Sequence, residues 1–245
     1  MGVLNFFCPT GGAVAQLGAR LDGIEEVVGS NPIGSTRPFP MTTNWPEPVT
    51  LGGKHVTLEP LSQQHHDDLV EAVNDGELWK LWYTRVPEPS NVRAEIGRRL
   101  KLRDDGAMVP FAIIRNADRK AVGMTTYTNV DKENRRVEIG WTWYRQSVQR
   151  TVLNSECKLL LLTHAFESLQ CICIEFRTHF FNHRSRHAIE RLGAKLDGVL
   201  RNNQILPNGT LRDTCVYSII ASEWPTVKAH LRWQVEKPRT PDGEA

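Results

Sequence analysis

An apolar strand that runs into a helix carrying its own start and stop signals constrains this chain most. Residues 171–178 read Cys-Ile-Cys-Ile-Glu-Phe-Arg-Thr, a buried strand, and Asn182 comes next as a favourable N-cap. Ala188, Ile189 and Leu192 give the next helix an apolar face, and Gly193 supplies a C-terminal stop. Two amphipathic elements joined this closely fit a layered α/β or α+β domain.

The pattern from Pro46 onward repeats this alternation without internal repeats or low-complexity linkers, so one domain is expected over 41–222. Residues 54–59 form a first strand, and Pro60-Leu61-Ser62 leads into a helix over 63–75 with Leu69, Ala72 and Val73 inward. A second helix covers 91–103, its arginines Arg93, Arg98, Arg99 and Arg103 read as a solvated face. Strands 111–115 and 121–129 flank the turn Asn116-Ala117-Asp118, and a fourth strand spans 136–144. Strict alternation there puts Val137, Ile139, Trp141 and Trp143 on one face and Glu138, Gly140 and Thr142 on the other. A helix over 155–168 precedes the strand at 171–178. Pro207-Asn208-Gly209 joins the strands 194–204 and 211–220 as a hairpin, and 223–245 reads as a C-terminal helix or tail with a disordered end.

Thirty basic against 28 acidic residues leave a net charge of +2, which argues against nucleic acid as the main ligand. Five cysteines without a CxxC spacing point to neither a disulfide framework nor zinc, and favour a reducing cytoplasm. His183 and His187 lie one helical turn apart without an acidic partner, so no metal is expected. No apolar run reaches membrane-spanning length. Residues 1–40 lack periodicity. Ala15-Gln16-Leu17-Gly18 and Gly29-Ser30-Asn31-Pro32 resemble an in-frame translation of a transfer-RNA gene, so a non-native or disordered extension is expected, with Met41 as the true start.

Four segments carry chemistry: Val137-Glu138-Ile139-Gly140-Trp141, Gln149-Arg150-Thr151-Val152-Leu153-Asn154, the pair Asn182 and Ser185, and Asp213-x-x-Val216-x-Ser218. In these the chain resembles the GNAT superfamily of acyl-CoA N-acyltransferases over about 54–222. The likeness is greatest to the branch acetylating small amines and protein N-termini, ribosomal proteins included. The resemblance implies a mixed, mostly antiparallel sheet flanked by helices and splayed between the fourth and fifth strands. It also implies acetyl-CoA as co-substrate, an amine acceptor, no metal, no nucleic acid or membrane partner, and a possible homodimer. By the same resemblance Asn182 and Ser185 touch the pantetheine arm and thioester, and residues 149–154 hold the pyrophosphate at a helix N-terminus. Glu138 is the base, Ser185 assists the departing thiolate, and Tyr144 is a further acid candidate.

Taken alone, Glu138 also reads as a solvated strand residue or a partner of Arg135, Asn182 as an ordinary cap, and Trp141 and Trp143 as core. The family pattern places small residues where this chain has Val152 and Asn154. A β-branched residue fits positive φ poorly, so Val152 leaves open a second reading: a lapsed GNAT-fold protein that binds a CoA-like ligand without turnover.

Overall fold

The structure, a computed structural model, describes residues 45–238. The expectations for residues 1–40 and for the end of the tail lie outside this range. The elements run β1 (Leu51–Gly52), β2 (Val56–Pro60), α1 (His66–Asn74), α2 (Val92–Asp104), β3 (Met108–Arg115), β4 (Lys120–Asp131) and β5 (Arg136–Tyr144). After these come α3 (Val152–Thr163), β6 (Cys173–His179), α4 (His183–Glu190), β7 (Lys195–Ile205), β8 (Leu211–Ile220) and α5 (Trp224–Glu236). The short β1 has no signal in the sequence, so the expected fourth and fifth strands are β5 and β6.

Among the described residues eight strands form one sheet in the order β1-β2-β3-β4-β5-β6-β8-β7. Only β5 and β6 are parallel, because α3 intervenes and returns the chain to the same end of the sheet. Alternation along β3 divides the core. Phe111 and Ile113 join Tyr127, Val137, Leu161, Leu162, Ile174 and Phe176 on the α3 face. Ala112 and Ile114 join Leu69, Val73, Ile96, Met124 and Trp143 on the α1–α2 face. Each fully buried Leu, Ile or Phe contributes about 1.5–3 kcal/mol.

Two polar residues whose roles have no local sequence signal tie these layers together. The Glu156 carboxylate on α3 accepts the backbone N–H groups of Lys54, His55 and Val56 at 2.8, 2.7 and 2.9 Å. A Cβ at Gly53 would stand 2.7 Å from its carboxyl carbon, so only glycine lets this turn close over the acid. Arg99 corrects the expectation of a solvated arginine face, being only 1% exposed. Its guanidinium donates to Glu95 at 2.7 Å, Thr126 Oγ1 at 3.0 Å and the Trp141 carbonyl at 3.3 Å. Five fixed donors let an arginine bridge an acid and a strand where a lysine would not.

The strict alternation expected along β5 also fails. Thr126 pairs with Gly140 and Met124 with Trp143, so Trp141 and Thr142 together stand opposite Thr125. Trp141 takes a left-handed φ of 51°. This bulge reverses the facing of the residues beyond it. Trp143 packs on the α1–α2 face and Tyr144 on the α3 face, while Thr142 bonds Thr125 at 2.8 Å and leaves the face of Glu138.

Candidate active site

The site starts where two strands part. Pairing between β5 and β6 covers only Arg136, Val137 and Glu138 against Cys173, Ile174 and Glu175. From Ile139 onward no strand among the described residues lies beside the β5 edge on that side. Glu138 therefore stands at the fork, on the α1–α2 face, 7% exposed. Asn129 Nδ2 donates to its Oε2 at 2.6 Å, and Arg177 Nε lies 3.6 Å away. Burial pushes the Glu138 carboxyl up to about 6, against the opposing pull of Arg177 and the Asn129 hydrogen bond. A Cβ on residue 140 would come within 2.6 Å of Glu138 Oε1, so Gly140 makes the space this carboxylate occupies. Its partner is thus Asn129 rather than Arg135, and it is buried rather than solvated.

The segment from Gln149 to Asn154 lies at the end of β5, at Tyr144. α3 begins at Val152, directly after the loop, and Thr151 caps it: the hydroxyl accepts the Leu153 N–H at 3.3 Å and donates to Val148 O at 2.7 Å. The left-handed residue here is Arg150, at φ 61°, and Val152 is helical. The strain expected at Val152 therefore does not arise, since the left-handed residue lies two positions upstream of it. Gln149 donates its amide to Tyr144 O at 3.0 Å, which holds the loop against the end of β5. The Leu153 side chain is core, leaving its backbone to the loop, and Asn154 is half-buried beside α4 and α5.

At the entrance of α4, Asn182 Oδ1 accepts the Ser185 N–H at 3.1 Å, the expected cap. Ser185 is half-buried. Tyr144 is a correction: its hydroxyl is sealed in the core against Cys157, without a hydrogen-bond partner among the described residues, and burial raises it well above its ordinary value. The bulge turned it inward.

One ionisable group on the α3 side lies outside the expected site. Lys158 is 6% exposed, and its ammonium donates to Thr142 Oγ1 at 3.0 Å. Burial lowers it to about 8. It lies about 200° around the helix from Glu156, which reaches β2, so it occupies the flank toward β5. A lone charge in Cys157-Lys158-Leu159-Leu160-Leu161-Leu162 was the available signal.

The fold and fork together bring an open strand edge, a helix N-terminus suited to an anion and a buried acid to one region, an arrangement that suits an acyltransferase. The family model for the Acetyltransferase (GNAT) domain matches residues 55–195, more than half of the chain. The chain belongs to the GNAT acetyltransferase family and is an acyltransferase. YdaF of Bacillus subtilis, provisionally named a ribosomal N-acetyltransferase, is 30% identical over 107 residues, 44% of this chain and 57% of its own length. The uncharacterized N-acetyltransferase p20 of Bacillus licheniformis is 26% identical over 176 residues, 71% of this chain and 98% of that one. A GCN5-related N-acetyltransferase from Brucella melitensis superposes with a TM-score of 0.70 at 29% identity, covering 81% of this chain and 91% of that one. Mycobacterium smegmatis RimJ, solved in complex with CoA-disulfide, shares the fold at 22% identity and a TM-score of 0.64, over 77% of this chain and 94% of its own. Among the described residues no group of histidine, cysteine and acidic side chains could hold a metal, and no helix is long and apolar enough to cross a membrane.

Proposed function

We propose that the protein transfers an acetyl group from acetyl-CoA to a primary amine, a protein N-terminus or a small amine, by direct attack on the thioester. The observation that carries this reading is the buried Glu138 carboxylate at the parting of β5 and β6, raised to about 6. An ammonium has no lone pair, so the acceptor must lose a proton before it attacks. Glu138 takes that proton, and it is ionised and ready to do so above about pH 6. A C–N bond forms, the C–S bond breaks, and the nitrogen's second proton passes to the departing thiolate to give the CoA thiol.

The residues present suit acetyl-CoA. Backbone N–H groups at the start of α3, apart from that of Leu153, which Thr151 takes, hold the pyrophosphate in this reading, with Gln149 and Thr151 fixing the loop. Asn182 and Ser185 stand at the pantetheine arm, and the Ser185 hydroxyl donates to the departing thiolate.

Thiol release from acetyl-CoA over a panel of primary amines, with Glu138→Gln beside the natural protein, tests this. The natural protein gains rate as pH rises through about 6, and the variant loses about 10²–10⁴-fold. An unchanged rate in Glu138→Gln across pH, or no calorimetric binding of acetyl-CoA by the natural protein, would refute the proposal.

A further inference from the structure

The face of the sheet that holds Glu138 continues across β6 and β8 with a distinct chemistry. Register places Glu175, Arg177 and His179 of β6 opposite Ser218, Val216 and Thr214 of β8, so these side chains share the Glu138 face, and Arg212, two residues before Thr214, joins them. The segment between α1 and α2 arches over this surface and brings Trp82, Tyr83 and Arg85.

Three observations there lack an internal explanation. His179 is 3% exposed, and its Nδ1 accepts the Phe181 N–H at 3.1 Å, so in the neutral ring the proton sits on Nε2. Burial, then Arg212, lowers its basicity and keeps it neutral. That Nε2 is buried with no hydrogen-bond partner among the described residues. An orphaned buried donor costs about 1–3 kcal/mol and calls for an acceptor.

Second, Arg212 is half-buried and its only described hydrogen bond is Nε to Thr214 Oγ1 at 3.1 Å. Burial lowers it, neighbouring Arg85 lowers it further, and Glu138 and Cys215 oppose them. Arg85 makes no described ion pair and lies over the Trp141 ring at 5.9 Å. By contrast Arg98 and Arg99 are committed to Glu95, and Arg177 to Glu175. Two neighbouring guanidiniums, neither in a described ion pair, suit an oxyanion.

Third, Trp82 and Phe181 are 51% and 58% exposed and flank His179, with ring centroids 5.1 and 5.7 Å from it. They form an aromatic wall beside the orphaned donor.

We propose that this surface selects an acceptor amine that carries its own oxyanion, a carboxylate or phosphate, held by Arg85, Arg212 and His179 Nε2, with an apolar or flat portion against Trp82 and Phe181. The assignment rests on the acetyltransferase reading, because it places the acceptor amine at Glu138. Its test reads binding alone, so the two can fail separately.

N-acetyl-L-phenylalanine, its neutral amide and phenyl phosphate would be titrated calorimetrically into the full chain with CoA present. One anionic probe, and the carboxylate or phosphate arm tells which, binds at least about tenfold tighter than the amide. Arg212→Gln and the exposed Arg85→Gln each reduce that preference and leave the amide's affinity unchanged, and His179→Phe weakens the anionic probe alone. Equal affinity for acid and amide, loss of both alike in the arginine variants, or no millimolar binding of either anion would overturn the proposal. If the preference appears but no amine is acetylated, the recognition surface stands and the catalytic reading falls.

Discussion

Replacing Lys158 by methionine should stabilise the protein at neutral pH, and by an amount that pH switches off. The ammonium is 6% exposed and has one described hydrogen-bond partner, Thr142, so water and counter-charge are both withheld from it. Burial lowers it from 10.5 to about 8, which at about 1.4 kcal/mol per pH unit is a penalty of about 3 kcal/mol carried by the folded state. Below pH 8 the lysine is charged in both folded and unfolded chains, and the whole penalty applies. Between about 8 and 10.5 the unfolded chain binds more protons, so the stability of the natural protein climbs with pH. Above 10.5 both states are neutral and the penalty is gone. Methionine fills nearly the same volume without charge. It forfeits the bond to Thr142, about 1 kcal/mol, while Thr142 keeps Thr125 as partner. A net gain of about 2 kcal/mol is therefore expected in Lys158→Met at pH 7. Urea unfolding of both proteins at pH 7 and pH 10 measures it, and the difference between them cancels other titrating groups. A difference that stays constant between the two pH values, or a variant less stable at pH 7, would refute the argument that an uncompensated charge is buried there.

The same geometry sets the outcome of other perturbations. Gly140→Ala drives a methyl to 2.6 Å from Glu138 Oε1, so acetyl transfer should fall about 10²-fold while the thermal melt moves little; an unaffected rate would separate Glu138 from the chemistry. Glu156→Gln presents an amide NH₂ to donors of the Lys54–Val56 turn and should cost about 2–3 kcal/mol in chemical denaturation, whereas unchanged stability would mean strand pairing alone holds that edge. Val152→Gly should leave the calorimetric affinity for acetyl-CoA unchanged and cost up to about 1 kcal/mol of stability; a large gain in affinity would return the strain to Val152.

The elements and their order were legible because each carries a local signal: Asn182 capping α4, the hairpin turn at Asn208-Gly209, the apolar alternation of β3. What escaped was set by distant partners. Arg99 reads as one more arginine on a basic helix until the Trp141 carbonyl stands across from it, 42 residues on. The β5 bulge leaves no glycine or proline at its left-handed residue, since a tryptophan occupies it, so the shift of Trp143 and Tyr144 between faces had no local cue. The same holds for the α3 loop, where the left-handed turn sits on Arg150 and not on the family's small-residue position. Glu138 could be named from its motif, but its burial depends on Gly140 and Asn129 together.

The extra residue in β5 also limits how this stretch can drift between generations. Substitution at Trp141 or Thr142 alters a side chain, whereas deletion of either would leave one residue opposite Thr125 and keep Trp143 beside Met124 and Tyr144 beside Gly123, in the layers they now occupy. What deletion of Trp141 would remove is the carbonyl that Arg99 bridges. The extra residue is thus tied to the buried arginine of α2 rather than to the packing of the residues that follow it. In an alignment of such chains a one-residue gap at 141–142 should accompany replacement of the arginine at position 99.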